Sequence, residues 1–179
     1  MRTLVPQVTA GPRSAIYECV ERSPGIHLRQ IERLTALPLG QVLYHLDRLE
    51  RMGLVGSVRD SGFRRFFSSS NISRAEKPVL AALRHTVPRQ IIMTLLGAPG
   101  IQHKDIQERV GVAGSTLSFH LQRLVSAGVL DRRLEDAVTA RYHVQDAVLA
   151  RRELLYYRES FQDPRVDEFV ERLIAALPS

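Results

Sequence analysis

Apolar residues recur at helical spacing along this 179-residue chain, and one stretch shows the pattern twice in succession. In residues 106–129, IQERVGVAGSTLSFHLQRLVSAGV, Ile106 and Val110 stand four apart, as on one face of a short helix. Gly111 follows, where a helix most readily stops because glycine takes positive φ without steric cost. Leu117, Leu121 and Leu124 then repeat at four and three. Two helices, a tight glycine-bearing turn and one apolar seam are what a helix-turn-helix requires.

The same pattern occurs earlier. With His45 set on His120, 75 residues further on, Pro24, Gly25, Ile26, Ile31, Leu46, Arg48, Leu49 and Gly53 fall on Pro99, Gly100, Ile101, Ile106, Leu121, Arg123, Leu124 and Gly128. Val42 meets Leu117, Tyr44 meets Phe119 and Leu54 meets Val129. A repeat of one small domain's length indicates two copies of one fold, because solenoid periods are about 20–50 residues.

In the first copy the spacing predicts helices over 13–22, 27–35 and about 38–52, with a very short strand at Ile26. Two β-prone segments, 54–59 and 63–67, flank Asp60-Ser61-Gly62 and read as a hairpin. Residues 68–73, SSSNIS, read as a linker and 74–85 as a connecting helix. The second copy predicts helices over 89–96, 103–110 and 113–127, then strands over 129–134 and 139–144 with Glu135-Asp136-Ala137 at the tip. Helices over 146–160 and 164–177 follow, the last with a stripe of Val166, Phe169, Val170, Leu173 and Leu177.

Helix, helix, helix, hairpin is the order of a winged helix. The expected fold class is therefore mainly α with small β-hairpin wings (α+β): two tandem winged helix-turn-helix domains plus C-terminal helices. The expected division is an N-terminal arm (1–12), a first domain (13–70), a linker and connecting helix (71–88), a second domain (89–145) and a helical tail (146–179) that dimerises.

Charge changes this picture by adding a partner. The net charge is +6, and it is uneven. Residues 13–70 carry nine basic and six acidic groups, 71–88 three and one, and 89–145 seven and five, whereas 146–179 carry five and seven. Basic repeats followed by an acidic tail favour a polyanion for the former and another task for the latter. A single cysteine, Cys19, allows no internal disulfide and fits a reducing cytoplasm. The longest apolar runs fall far short of the ~18 residues of a membrane span, and the N-terminus lacks an apolar export core. The expectation is a cytoplasmic protein without membrane contact.

The third helix of each copy can offer its outer face to a DNA major groove about 12 Å wide. In the first copy that face holds Leu39, Gly40, Gln41, Leu43, Tyr44 and Arg48. In the second it holds Gly114, Ser115, Thr116, Ser118, Phe119 and Arg123. Gln41, Ser115, Thr116 and Ser118 can hydrogen-bond base edges or phosphates, and Arg48 and Arg123 lie further along, where phosphate is the nearer target. Arg59, Arg64 and Arg65 in the first hairpin, and Arg132, Arg133 and Arg141 in the second, suit backbone or minor-groove contacts. For the first copy, with Leu39, Leu43 and Tyr44 outward, base reading and protein contact both stay open, since exposed apolar surface also marks protein interfaces. The Ser-Thr-x-Ser run of the second copy favours DNA.

His45 and His120 occupy equivalent places and read as half-buried side chains that each donate a hydrogen bond within the domain. Cys19 reads as core. No histidine spacing suits a metal on a helix, and the GxGxxG, GxxxxGK[ST], GxSxG and HExxH patterns are missing. The expectation is a non-enzyme without cofactor or metal.

Residues 110–130, VGVAGSTLSFHLQRLVSAGVL, resemble the winged helix-turn-helix of ArsR-like and MarR-like regulators, and 37–55, LPLGQVLYHLDRLERMGLV, is a more divergent version. Two such units with a helical tail resemble tandem winged-helix regulators known from archaea. The resemblance implies a transcriptional regulator that binds double-stranded DNA sequence-specifically, commonly as a homodimer whose added helices form the interface. It leaves open whether a small-molecule effector exists. The metal-sensing members' cysteine-rich motif is missing. Their usual polar or basic residues at the start of the third helix are replaced by Leu39 and Gly40, and by Gly114. Winged helices also serve as protein-binding modules, so a scaffold that reads no DNA sequence is the alternative.

Overall fold

The apolar spacing is resolved into two separate cores. In a computed structural model, whose described residues are 11–60, 62–135 and 139–176, the chain divides into two compact units between Ser73 and Arg74.

In the first unit, α1 (Pro12–Arg22) starts on a proline whose missing N–H costs nothing in a first turn, and it buries Ile16, Tyr17 and Val20. β1 (Ile26–His27), α2 (Leu28–Thr35) and α3 (Leu39–Arg51) follow. α3 buries Val42, Leu46 and Leu49, spaced at four and three, so its other side faces solvent. The strands β2 (Val55–Asp60) and β3 (Phe63–Ser68) form the hairpin. The short strand expected at Ile26 is present and pairs antiparallel with β3, Ile26 opposite Phe66, giving the sheet order β1-β3-β2.

The second unit repeats this plan and adds to it. α4 (Glu76–Leu83) precedes α5 (Thr86–Gly97), β4 (Ile101–Gln102), α6 (His103–Val110), α7 (Gly114–Ser126), β5 (Leu130–Leu134) and β6 (Ala140–Val144), with sheet order β4-β6-β5. α5 begins at Thr86, three residues before the expected start, because Pro88 falls in the first turn, where no N–H donor is needed. After β6 come α8 (Ala147–Tyr156), α9 (Arg158–Phe161) and α10 (Pro164–Ala175), three helices where two were expected. Ser61, the wing-tip residues Asp136 and Ala137, most of the 1–12 arm and Leu177 of the tail stripe lie outside the described residues.

The segments read as a connecting helix and a separate tail are, from Arg74 onward, parts of the second unit. Val166, Phe169 and Val170 of the tail stripe are buried in one core with Ile91, Leu95 and Leu121. Each such side chain is worth roughly 1.5–3 kcal/mol when removed from water. These three side chains are thus used within their own chain.

A buried ion pair fixes this docking. Arg89 on α5 donates through Nε and Nη2 to Asp163 Oδ2 (3.1 and 2.5 Å) and through Nη1 to the Leu83 carbonyl (2.7 Å). Asp163 also accepts from the Arg165 amide and so caps α10. Burial alone would raise the Asp163 carboxyl, but the hydrogen bonds from Arg89 and Arg165 and their charges outweigh it, holding the group below the usual carboxylate range. A second link joins α4 to α8, where Arg152 bridges Glu76 and the buried Glu153. Burial raises the Glu153 carboxyl more than Arg152 lowers it.

Asp163→Ala leaves the Arg89 guanidinium buried without its counter-charge, and its expected cost is roughly 3–5 kcal/mol. Chemical denaturation with far-ultraviolet dichroism checks this; a loss below about 1 kcal/mol contradicts the role given to the pair.

Candidate nucleic-acid interface

The second unit's recognition helix is held from behind. α6 ends at Gly111, whose φ of 73° turns the chain left-handed into α7. Leu117, Leu121 and Leu124 are buried, which leaves Ser115, Thr116, Ser118, Phe119 and Arg123 outward. The Gln107 side chain of α6 packs on Gly114, where an added Cβ would stand 3.3 Å from Gln107 Oε1. A larger residue at the start of α7 would have to displace the Gln107 amide by a few tenths of an ångström. Ser118 Oγ lies 2.9 Å from His103 Nε2, so part of its hydrogen-bonding capacity is used within the unit. The Arg123 guanidinium sits over the Phe119 ring, 5.6 Å from its centre, which orients the cation along the exposed face. α7 carries no carboxylate.

The first unit's helix differs. Ala36 takes the left-handed turn with φ 53°, a conformation that costs a residue with a Cβ roughly 1–2 kcal/mol. Gln41, Leu43, Tyr44 and Arg48 are exposed on α3, and Arg48 Nη1 lies 3.5 Å from Tyr44 Oη. Leu39 is half-buried. Asp47 and Glu50 place two carboxylates on this helix.

The wings divide their arginines between two roles, and the expectation for Arg65 is corrected. Arg65 is buried on β3, where Nη1 donates to the Gly25 carbonyl (3.0 Å) and Nε pairs with Asp60 (3.3 Å). Burial lowers its pKa more than Asp60 raises it. Arg141 on β6 repeats the arrangement: Nη1 donates to the Gly100 carbonyl (2.8 Å) and Nε and Nη2 both reach Glu135 at 2.7 Å. Both fasten the hairpin to the turn before the short strand. The fold consumes the donors of buried Arg65, whereas Arg141 and its Glu135 partner stay partly exposed. Asp60 and Glu135 stand 75 residues apart, as His45 and His120 do, and that repeated acid was the signal in the sequence that these arginines are structural.

Arg64 is exposed yet engaged. Its Nη2 donates to both Glu50 oxygens (2.8 and 2.7 Å), and Nε donates to Ser57 Oγ (2.9 Å). In the second unit Val125 stands where Glu50 stands and Arg132 where Ser57 stands. Ser57 opposes Phe66, and Arg132 opposes Tyr142. Arg132 and Arg59 are exposed and form no ion pair among the described residues. Arg133 pairs with Asp131 at 2.8 Å, both largely exposed, an interaction weak enough to exchange for phosphate. The structure thus gathers Ser115, Thr116, Phe119 and Arg123 on one helix face, and leaves Arg132 and Arg133 as the cations of the following hairpin.

Comparison with known proteins agrees with this architecture. A family model described as an N-terminal HTH domain matches residues 10–80. A second, described as winged helix-turn-helix DNA-binding, matches residues 86–131. An uncharacterised HTH-type transcriptional regulator of Methanocaldococcus jannaschii is 24% identical over 137 residues, 76% of this chain and 34% of that protein. The chain therefore spans about a third of the length of this relative. Among the described residues no helix is long and apolar enough to cross a membrane, and no three His, Cys, Asp or Glu residues cluster as metal ligands.

The paired histidines behave differently from expectation. The Nδ1 of His45 is buried without a hydrogen-bond partner, so the donated bond read from the sequence is not made there. Each ring sits edge-on to its aromatic neighbour, Tyr44 or Phe119, at 5.1 and 5.3 Å. Burial, then the charge of Arg123, then His85 lower the His120 pKa below 6.5. Below that pH the unfolded chain takes up a proton that the folded one resists, so this site's contribution is full above about pH 6.5 and declines as pH falls. His120→Gln is expected to flatten the fall in stability between pH 7 and pH 5, checked by denaturant titrations at both. An unchanged pH slope refutes this assignment.

Proposed function

We propose that this chain, two winged helix-turn-helix domains in tandem, is a DNA-binding transcriptional regulator whose second unit reads the DNA. α7 enters the major groove with Ser115 and Thr116 toward base edges, and Arg123, Arg132 and Arg133 meet phosphates. The observation that carries this is the charge difference between the two repeats. In the first, Glu50 neutralises Arg64 beside the recognition helix; in the second, the acid is Val125 and Arg132 has no ion pair among the described residues. An acid-free α7 with small hydroxyl side chains suits close approach to a polyanion. The matched DNA-binding model over residues 86–131 and the regulator relative support the same reading.

The first unit takes a different partner in this reading. Leu34, Leu43, Tyr44, Met52 and Phe63 are exposed there, against Phe119 and Leu134 in the equivalent part of the second unit. That composition suits a protein contact. Gln41, Arg48 and Arg59 then lie outside the DNA interface. Dimerisation, with the α10 stripe already buried, falls to the outer side of α8, where Val148, Leu155 and Tyr156 are exposed.

Arg132→Gln/Arg133→Gln is expected to weaken binding to all sequences alike and to lower the salt-dependence slope by about 2, one phosphate per arginine. Ser115→Ala/Thr116→Ala changes base preference in selection from random DNA, while Leu43→Ala/Tyr44→Ala alters neither quantity. Salt-independent binding, or equal behaviour of all three variants, overturns the reading. Val148→Glu/Tyr156→Glu yields monomers by light scattering, with the helical content unchanged; a persisting dimer rejects α8 as the interface.

A further inference from the structure

One side-chain contact runs from the supporting helix to the outer face of the recognition helix. His103 is the first residue of α6, and its Nε2 lies 2.9 Å from Ser118 Oγ on α7. His103 is half-buried and Ser118 is exposed, so the imidazole is held against the unit while the hydroxyl it meets faces solvent. Ser118 follows Ser115 by three residues, one turn along the same helix face. Among the described residues neither side chain makes another hydrogen bond.

The first unit is built without this pair. At the repeat offset of 75, Leu28, the first residue of α2, stands for His103, and Leu43 stands for Ser118. The two helices of the motif therefore pack without a polar group at either place, and the fold itself does not call for the imidazole.

A serine hydroxyl carries one proton and two lone pairs, and a neutral imidazole has one donor and one acceptor. When Nε2 carries the proton, it fills a lone pair of Ser118 and leaves the hydroxyl proton to be given outward. When Nε2 accepts, Ser118 spends its proton inside the unit and can only accept from outside. The surface that α7 meets selects between the two. Phosphates offer acceptors alone. In the major groove guanine, adenine and thymine all present acceptors, whereas cytosine presents only its N4 donor. An acceptor-rich ligand favours the state in which His103 donates and Ser118 faces outward as a donor.

We propose that His103 is a positioning residue for sequence recognition: from α6 it donates to Ser118 and fixes that hydroxyl as a proton donor toward a base edge, so that the position it reads rejects cytosine. The inference rests on α7 being the helix that reads DNA, and it assigns part of that reading to the helix behind it.

Selection from random DNA by the full chain gives the preferred site. Fluorescence anisotropy with duplexes varied one position at a time then measures discrimination at each position. One position is expected where cytosine binds about fivefold more weakly than the preferred base, the worth of one neutral hydrogen bond. Ser118→Ala removes that discrimination. His103→Leu, which places the first unit's residue there, lowers it about fivefold at the same position and leaves the others within about twofold. His103→Gln, whose amide nitrogen replaces Nε2 as donor, restores it to within about twofold of the wild type. His103→Leu/Ser118→Ala loses no more than Ser118→Ala alone. Unchanged discrimination in His103→Leu, while Ser115→Ala/Thr116→Ala alters base preference, overturns the role of His103 and leaves α7 as the reader. Equal weakening at every position with a lowered thermal midpoint assigns His103 to the fold and also overturns it. Wild-type binding without base preference overturns both the proposal and the reading on which it rests.

Discussion

A guanidinium drawn into a small sheet must find acceptors, and in both units the same two are supplied. The arginine on the returning strand reaches the glycine carbonyl ahead of the short strand, Gly25 or Gly100, and the acid at the end of the outgoing strand or just beyond it, Asp60 or Glu135. In the first unit, where Arg65 is buried, leaving it unpaired would cost several kcal/mol, so there the contact is as much a constraint as a bond. It ties the wing to the turn after the first helix, and with it the angle between the wing and the recognition helix. The apolar seams do the rest. Val42, Leu46 and Leu49 in one unit, and Leu117, Leu121 and Leu124 in the other, seat the third helix with one side committed to the core.

On this common frame the two copies have diverged in their charges. The first uses a second acid, Glu50, to occupy Arg64 and Ser57, and so spends that wing cation internally while Arg59 stays exposed. It also carries a Cβ through the left-handed turn at Ala36 and exposes Leu43 and Tyr44. The second keeps glycine in that turn and has no acid on its recognition helix.

Much of this was legible in the sequence. The 75-residue repeat and the four-and-three spacing of leucines gave the element order, the hairpins and even the two-residue strand at Ile26. What periodicity could not supply was the destination of a side chain. A stripe such as Val166, Phe169 and Val170 says that a face is covered, not by what, and here the cover is the same chain. An arginine in a hairpin has the same letter whether its donors face solvent, as in Arg132, or a buried carbonyl, as in Arg65. Only comparison of the two copies, acid against acid, separates them. The buried Nδ1 of His45 has no such signature, because local pattern does not reveal which acceptors a fold withholds.

The wings differ in one further respect. Between the equivalent pairs, Arg59 with Arg64 and Leu134 with Ala140, the first hairpin has four residues and the second has five. The offset between the copies grows from 75 to 76 at that place, yet on either side the same partners meet: Asp60 with Arg65 and Glu135 with Arg141 across the tip, and Ser69 with Leu54 and Gln145 with Val129 at the base. Chain length at the tip is thus decoupled from the integrity of the domain. Reach toward a partner can be lengthened or trimmed one residue at a time there, while the core and its clamp stay the same.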